Sequence, residues 1–253
     1  MSAVDAVPWD YAALAPHYEL RADYCADTVC DLLDACGVAR LAPAVDIGAG
    51  TGRLTRLLLA RGHRVEAVEP CAPMRAIGIG LTRGAVRWHA ADGAATGLPA
   101  GSAALVAFGS SFNVLAPAAA IAETLRLLGG RGHALLLWNH RDFDDPLQAR
   151  VEALLRARAP TYRGGRRRED PLPDWRASGA LRGVRRAQGR LRVRQPLARF
   201  VEGFRAHGTL LRHLVGPLDE LLAALHTALA PDCADGHIEV PFDTRAWCLE
   251  LAT

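Results

Sequence analysis

The segment Val45-Asp-Ile-Gly-Ala-Gly-Thr-Gly-Arg-Leu-Thr55 constrains this chain more than any other. It is entered from a short apolar run, Leu41 to Ile47, that stops at a glycine cluster, the mark of a buried parallel strand. It leads into Thr51 to Leu59, which has amphipathic helical spacing. Gly48, Gly50 and Gly52 therefore lie where a strand turns into a helix. Residues without a side chain let the backbone turn sharply there and approach a ligand, with Ala49 between them and helix N-terminal amides alongside. A glycine triplet alone also suits a plain tight turn. The next strand, Arg64 to Val68, adds a second signal. Glu69 ends it, placing a carboxylate at the carboxyl edge of the sheet, where it can accept both hydroxyls of a ribose.

The alternation continues down the chain. A helix over Met74 to Leu81 leads to a strand around Val86 to Ala90. Ala103 to Gly109 reads as a strand, Ala116 to Leu128 as a helix, and His133 to Asn139 as a fifth strand. Strands alternating with helices of about 10 residues predict an α/β fold with a doubly wound, Rossmann-like, mostly parallel seven-stranded sheet. Ahead of it, Tyr11, Leu14, Tyr18 and Ala22, then Val29, Leu32 and Leu33, keep helical spacing through the first forty residues. Beyond Asp145 a helix is expected over 145–158, and the Arg-, Gly- and Pro-rich stretch Ala159 to Asp174 reads as an exposed loop or flap. Val184 to Arg194 alternates as a strand pair turning near Gly189. Helices near 197–208 and 217–229 precede a last strand, His237 to Phe242. The economical organisation is one domain over 1–253, with a helical lid (1–40), a ligand-binding core (41–145) and a substrate-side elaboration carrying the last strands (146–253).

Dinucleotide binding competes for the glycine loop, but its G-x-G-x-x-G fingerprint needs glycine where this chain has Arg53. The spacing is instead acid-x-G-x-G-x-G, led by Asp46. With Val65-Glu-Ala-Val-Glu-Pro70, Asp92-Gly-Ala-Ala-Thr-Gly-Leu-Pro99 and Leu127-Leu-Gly-Gly-Arg-Gly-His-Ala-Leu-Leu-Leu-Trp-Asn139 following in order, the chain resembles the class I S-adenosyl-L-methionine (SAM)-dependent methyltransferase superfamily over about residues 10 to 145. A fainter similarity to its small-molecule subgroup runs through Trp138-Asn-His-Arg-Asp142 and Val240-Pro-Phe-Asp-Thr244. The resemblance implies SAM as cofactor and S-adenosyl-L-homocysteine (SAH) as product. It implies that Asp46 orders the loop near the methionine amine, and that Gly48, Ala49, Gly50 and Gly52 line the amino-acid moiety. Glu69 would hold the ribose, Pro70 and Met74 the adenine face, and Asp92 and Gly93 the adenine edge. Ser110 would lie beneath the methionine end. Tyr18-Glu-Leu-Arg-Ala-Asp-Tyr24 resembles the lid segment, where Arg21 would pair with the methionine carboxylate and Tyr24 would cover it; a surface salt bridge suits Arg21 equally well. Two departures stand out. Thr96 replaces the acid often found before Leu-Pro, and Phe112-Asn-Val114 stands where relatives often show Phe-His-Trp.

Methyl transfer needs alignment and exclusion of water, and a base only where the acceptor must lose a proton. The candidates are His140, after strand five at the carboxyl edge, and Asn113, which can orient an acceptor. No histidine spacing suggests a metal site. The expected acceptor is a small molecule or a carrier-tethered one, methylated on oxygen or nitrogen; a homodimer is compatible with this reading. Arg156 to Arg194 is an arginine-rich stretch, so an RNA methyltransferase is the alternative. Against it, Tyr162 and Trp175 are the only aromatic residues interleaved there. A SAM-binding protein that no longer transfers methyl is a second alternative. All 30 basic residues are arginine, and the net charge of +3 does not by itself ask for a nucleic-acid partner. The six cysteines are scattered without C-x-x-C pairs, as in a reducing cytoplasmic setting. No secretory signal is expected, and no apolar run reaches the roughly 18 to 20 residues of a membrane span.

Overall fold

The computed structural model describes residues 10–162 and 169–252. Residues 1–9 of the expected lid and 163–168 of the arginine-rich stretch lie outside the described residues. The chain divides into two compact units. A sheet unit comprises Tyr24–Asn139, Glu169–Gly189 and Thr244–Thr253, and a helical unit comprises Met1–Asp23, His140–Arg168 and Arg190–Asp243.

The sheet holds β1 (Pro43–Ile47), β2 (Arg64–Val68), β3 (Arg87–His89), β4 (Leu105–Gly109), β5 (Arg131–His140), β6 (Leu181–Pro196) and β7 (His237–Ala252). Its strand order is β3-β2-β1-β4-β5-β7-β6. The pairs β1–β2, β1–β4, β2–β3 and β4–β5 are parallel. The α/β, mostly parallel seven-stranded sheet expected from the sequence is therefore present. Parallel strands need crossovers, and the sheet unit supplies α3 (Arg53–Arg61), α4 (Ala72–Thr82) and α5 (Pro117–Leu128). Both faces are consequently covered. Val45, Ile47, Val106, Phe108 and Leu136 point to one core with Ile121 and Leu127 of α5. Ala44, Leu105, Leu135 and Leu137 point to the other, with Leu54 and Leu58 of α3 and with Val29 and Leu33 of α2 (Ala26–Ala35). Successive strand residues face opposite ways, so the two clusters alternate along each strand. Chain order reverses between β1 and β4, and ligands of open α/β sheets bind at such a switch point, beyond the carboxyl ends of the strands.

Several local expectations need correction. The strand pair turning at Gly189 is one continuous strand, β6. A Cβ at Gly189 would stand 1.8 Å from Thr28 Oγ1, so this glycine lets α2 approach β6 closely and makes no turn. The last strand runs to Ala252, well past Phe242. The stretch 159–174 is not simply an exposed flap: Tyr162 is 1% exposed, and Leu172 opens a short helix, α7 (Leu172–Ala177), whose Trp175 is fully buried and stacks on Phe112 with ring centroids 5.6 Å apart.

In the helical unit the lid segment is less helical than its spacing suggested. After α1 (Tyr11–Leu14), Ala15–Leu20 is a 3-10 turn with Pro16 near its start. The unit also holds α6 (Pro146–Arg158), α8 (Leu197–Glu202), α9 (Gly208–Leu211) and α10 (Leu218–Leu229). Asp145 caps α6 by accepting from the amides of Leu147 and Gln148, with Pro146 at the first helical position. The helix expected over 197–208 breaks at His207, whose ring accepts from the Leu210 amide and starts α9. Val151, Leu155, Phe200, Leu221, Leu225 and Ile238 form this unit's own core. Among the described residues no helix is long and apolar enough to cross a membrane.

Candidate cofactor site

Beyond Ile47 the backbone enters the left-handed region three times, at Gly48 (φ 67°), Gly50 (φ 58°) and Gly52 (φ 84°), before α3 begins. Gly48 has a further reason to be glycine: a Cβ there would meet the Ser111 Cβ at 2.6 Å. The loop is clamped to the end of β2. The amides of Gly48 and Ala49 donate to the Val68 carbonyl at 2.9 and 3.0 Å, and the Gly50 amide donates to Glu69 Oε2 at 2.8 Å.

Glu69 is 6% exposed. Its other oxygen, Oε1, accepts from the Cys71 amide at 2.8 Å, and Arg75 of α4 donates to the Glu69 carbonyl at 2.6 Å. Burial raises its carboxyl above the ordinary value, against the pull of these two amides and of Arg75. A carboxylate offers about four lone-pair sites, so each oxygen retains room for one more donor. Asp46 lies in β1, registered between Ala67 of β2 and Ala107 of β4, and is 0% exposed. Its Oδ2 accepts from Thr55 Oγ1 at 2.6 Å, while Oδ1 is buried with no hydrogen-bond partner among the described residues. Burial raises its carboxyl to about 7, opposed by Thr55 and reinforced by the Glu69 charge.

The other expected residues separate into three groups. At the end of β4, Ser110 holds a left-handed φ of 59°, uncommon for a side-chain-bearing residue, and its Oγ lies 3.1 Å from the Tyr24 hydroxyl. The fold thus brings these two expected residues together. Asn113 is also nearby in the chain, and its Oδ1 accepts from the Trp138 indole at 2.7 Å, which leaves its amide NH2 for other partners. Around the expected adenine position, Pro70 and Asp92 are exposed and Gly93 is buried, with a Cβ there falling 2.6 Å from Ile47 Cγ2. Asp92 accepts from the Ala94 amide at 2.8 Å. Met74 is 1% exposed and serves packing in this conformation. Arg21 and His140 belong to the helical unit. The Arg21 guanidinium donates to the Tyr18 hydroxyl at 3.0 Å and lies 4.9 Å over that ring, and His140 is 5% exposed.

Sequence reading missed three supporting residues. Thr55 braces Asp46, and a hydroxyl in the first turn of a helix was the available signal. Ser111 donates to the Ile47 carbonyl from beside Gly48. Thr96, the departure before Leu-Pro, is buried and donates to Glu123 of α5, which Arg126 also holds. Thr96 thus ties its loop to a helix, and the Glu123 carboxyl falls to about 2, chiefly through Arg126.

Residues 45–136, the segment carrying this loop and Glu69, match the family model described as a methyltransferase domain. Over that segment the chain is similar to the class I SAM-dependent methyltransferases. Uncharacterized methyltransferases of Mycobacterium tuberculosis and Mycobacterium bovis are 37% identical to it over 101 residues, 39% of this chain. The match spans 40% of those relatives' length. Among solved structures, a candidate type II methyltransferase from Anaeromyxobacter dehalogenans superposes with a TM-score of 0.61 at 17% identity, over 92% of this chain and 97% of that one. The YcgJ protein of Bacillus subtilis gives 0.53 at 16% identity, over 89% and 98%. At these identities the structures share the methyltransferase fold. SAM is the cofactor of such a domain, and the residues at the switch point suit it: a carboxylate with room for two hydroxyls, and an orphaned buried carboxylate oxygen under the loop that a cationic ligand would compensate.

Proposed function

We propose that this chain transfers a methyl group from SAM to an oxygen or nitrogen of a small-molecule acceptor, free or carrier-tethered. When bound, SAM supplies a methyl group already activated on a sulfonium. Glu69 accepts the ribose hydroxyls, the Gly48–Gly52 loop lies along the amino-acid moiety, and Tyr24 with Ser110 covers the end of β4. Asp92 and Gly93 mark the adenine edge. Asn113, braced by Trp138, orients the acceptor. The six cysteines are free thiols, which fits a cytoplasmic, biosynthetic setting.

The choice of a small acceptor over RNA rests on the arginine-rich stretch. Its two aromatic residues, Tyr162 and Trp175, are 1% and 0% exposed and serve cores, so they offer no stacking platform for bases. Among the described residues, five of its arginines are held by acids of this same chain: Arg156 with Glu152 at 2.8 Å, Arg158 with Glu220 at 2.9 Å, Arg186 with Asp170 at 3.2 Å, Arg190 with Asp142, and Arg192 with Glu239 at 3.2 Å. Such pairing consumes the charge that phosphates would need. The test is to incubate the protein with methyl-labelled SAM and, in parallel, a low-mass metabolite fraction or bulk RNA at physiological salt. The proposal expects label in the low-mass fraction with an equal amount of SAH. Label in RNA would defeat it, as would SAM binding without SAH formation against any acceptor fraction.

A further inference from the structure

Beneath the glycine loop one carboxyl is held in an unusual state. Strand β1 is apolar except for Asp46, which is fully shielded from solvent. A buried carboxylate without a countercharge is costly, and each of its oxygens needs a donor. Only Oδ2 has a hydrogen bond, from Thr55 Oγ1 at 2.6 Å. Thr55 is itself 0% exposed and sits in the first turn of α3, so its backbone amide also favours an anion there.

The surroundings of Asp46 are few and specific. From the end of β2 comes Glu69, a second carboxylate whose charge opposes ionisation of the first. Arg75 of α4 acts on Glu69 and donates to its backbone carbonyl. From α3 comes Thr55, while Arg56 of that helix donates to the Thr51 carbonyl of the loop at 3.0 Å. The flanking strand partners of Asp46 are Ala67 and Ala107, which carry no charge. The hydroxyl and the amide of one residue, Thr55, thus work against burial and a like charge.

We propose that Thr55 is a positioning residue that holds Asp46 ionised beneath the glycine loop, and that this makes cofactor binding proton-linked. The inference rests on SAM binding at this loop. Asp46 is shielded, so its charge acts on a cationic ligand through the thin loop and not by contact; in a poorly hydrated interior such a field is little screened. A ligand bearing an ammonium group then binds the ionised protein more tightly than the protonated one. Binding releases the proton that Asp46 carries, and affinity falls as pH drops through the Asp46 titration, which burial has moved to about 7. Removing the Thr55 hydroxyl raises that titration further, so affinity begins to fall at a higher pH.

The experiment is calorimetric titration with SAH from about pH 5.5 to 8.5, on the wild-type chain, Thr55→Val, Thr55→Ser and Asp46→Asn. The wild type should lose about tenfold in affinity between about pH 8 and pH 6, the change one proton with a midpoint near 7 produces. Thr55→Val should show the same step displaced to higher pH, with weaker binding at neutrality, and Thr55→Ser should restore the wild-type profile. Asp46→Asn should lack the step. A Thr55→Val profile superimposable on the wild type overturns the inference, and so does a full step retained in Asp46→Asn. Should Thr55→Val fail to fold, the carbonyl stretch of a protonated carboxyl in the ligand-free wild type, lost in Asp46→Asn, reads the same titration; its absence near neutral pH also overturns the inference. If no variant and no pH gives SAH binding by the wild type, the cofactor reading itself fails and takes this inference with it, a result distinct from tight binding with one shared profile.

Discussion

Asp46 and Glu123 illustrate how single carboxyls pull the stability of one fold in opposite directions with pH. The Asp46 carboxyl is raised from 3.8 to about 7 by burial, so folding favours its protonated form. Its contribution to stability is complete below the unfolded value of 3.8 and is lost as pH rises through about 7. Asp46→Asn should therefore unfold at higher urea than the wild type at about pH 8, by up to a few kcal/mol, with the difference vanishing near pH 4. Glu123 is lowered from 4.5 to about 2 by Arg126 and Thr96, so its contribution is present above 4.5 and lost as pH falls through about 2. Glu123→Gln should cost about 1–3 kcal/mol at neutral pH and almost nothing near pH 2, read by the same urea midpoints. Gly48→Ala brings a methyl to 2.6 Å from Ser111 Cβ at a φ of 67°. A loss of about 1–3 kcal/mol in thermal unfolding is expected, with SAH affinity weakened as the loop shifts.

At the scale of elements, local pattern named the strands and helices of the core well and failed where distant residues decide. β1, β2 and α3 are legible because apolar period, glycine stop and helix start fall within one short segment. Gly189 looked like a turn because a glycine inside an alternating strand also marks close approach, and the Thr28 that approaches it lies far away in the chain. Likewise, α7 was hidden in a stretch rich in arginine, glycine and proline, although Trp175 is buried against Phe112. Trp175→Ala should cost about 3–5 kcal/mol, measured by chemical unfolding. A surface flap would lose almost nothing on the same substitution. Gly189→Ala should cost about 1–3 kcal/mol by forcing α2 from β6, whereas a turn glycine with ordinary φ would tolerate alanine.

For the whole molecule, the legible part of the site is the part built from two consecutive strand ends. Asp46, the glycine loop and Glu69 come together because β1 and β2 pair in parallel, and their spacing in sequence is their spacing in function. Tyr24 meets Ser110 only through folding of the sheet unit, and the resemblance, not the pattern, pointed to it. Arg21 and His140 fall in the helical unit, where Tyr18 already engages the arginine. Those two residues lie on chain segments whose sequence carries little periodic signal. The central claim is that SAM binds at the loop and Glu69, and its most direct test is calorimetric titration of SAH into the wild type and Glu69→Gln at about pH 8, with thermal unfolding confirming that both are folded. The account predicts micromolar-range binding by the wild type and at least about tenfold weaker binding by the variant, about 1.4 kcal/mol or more. Equal affinity in the two proteins would contradict it.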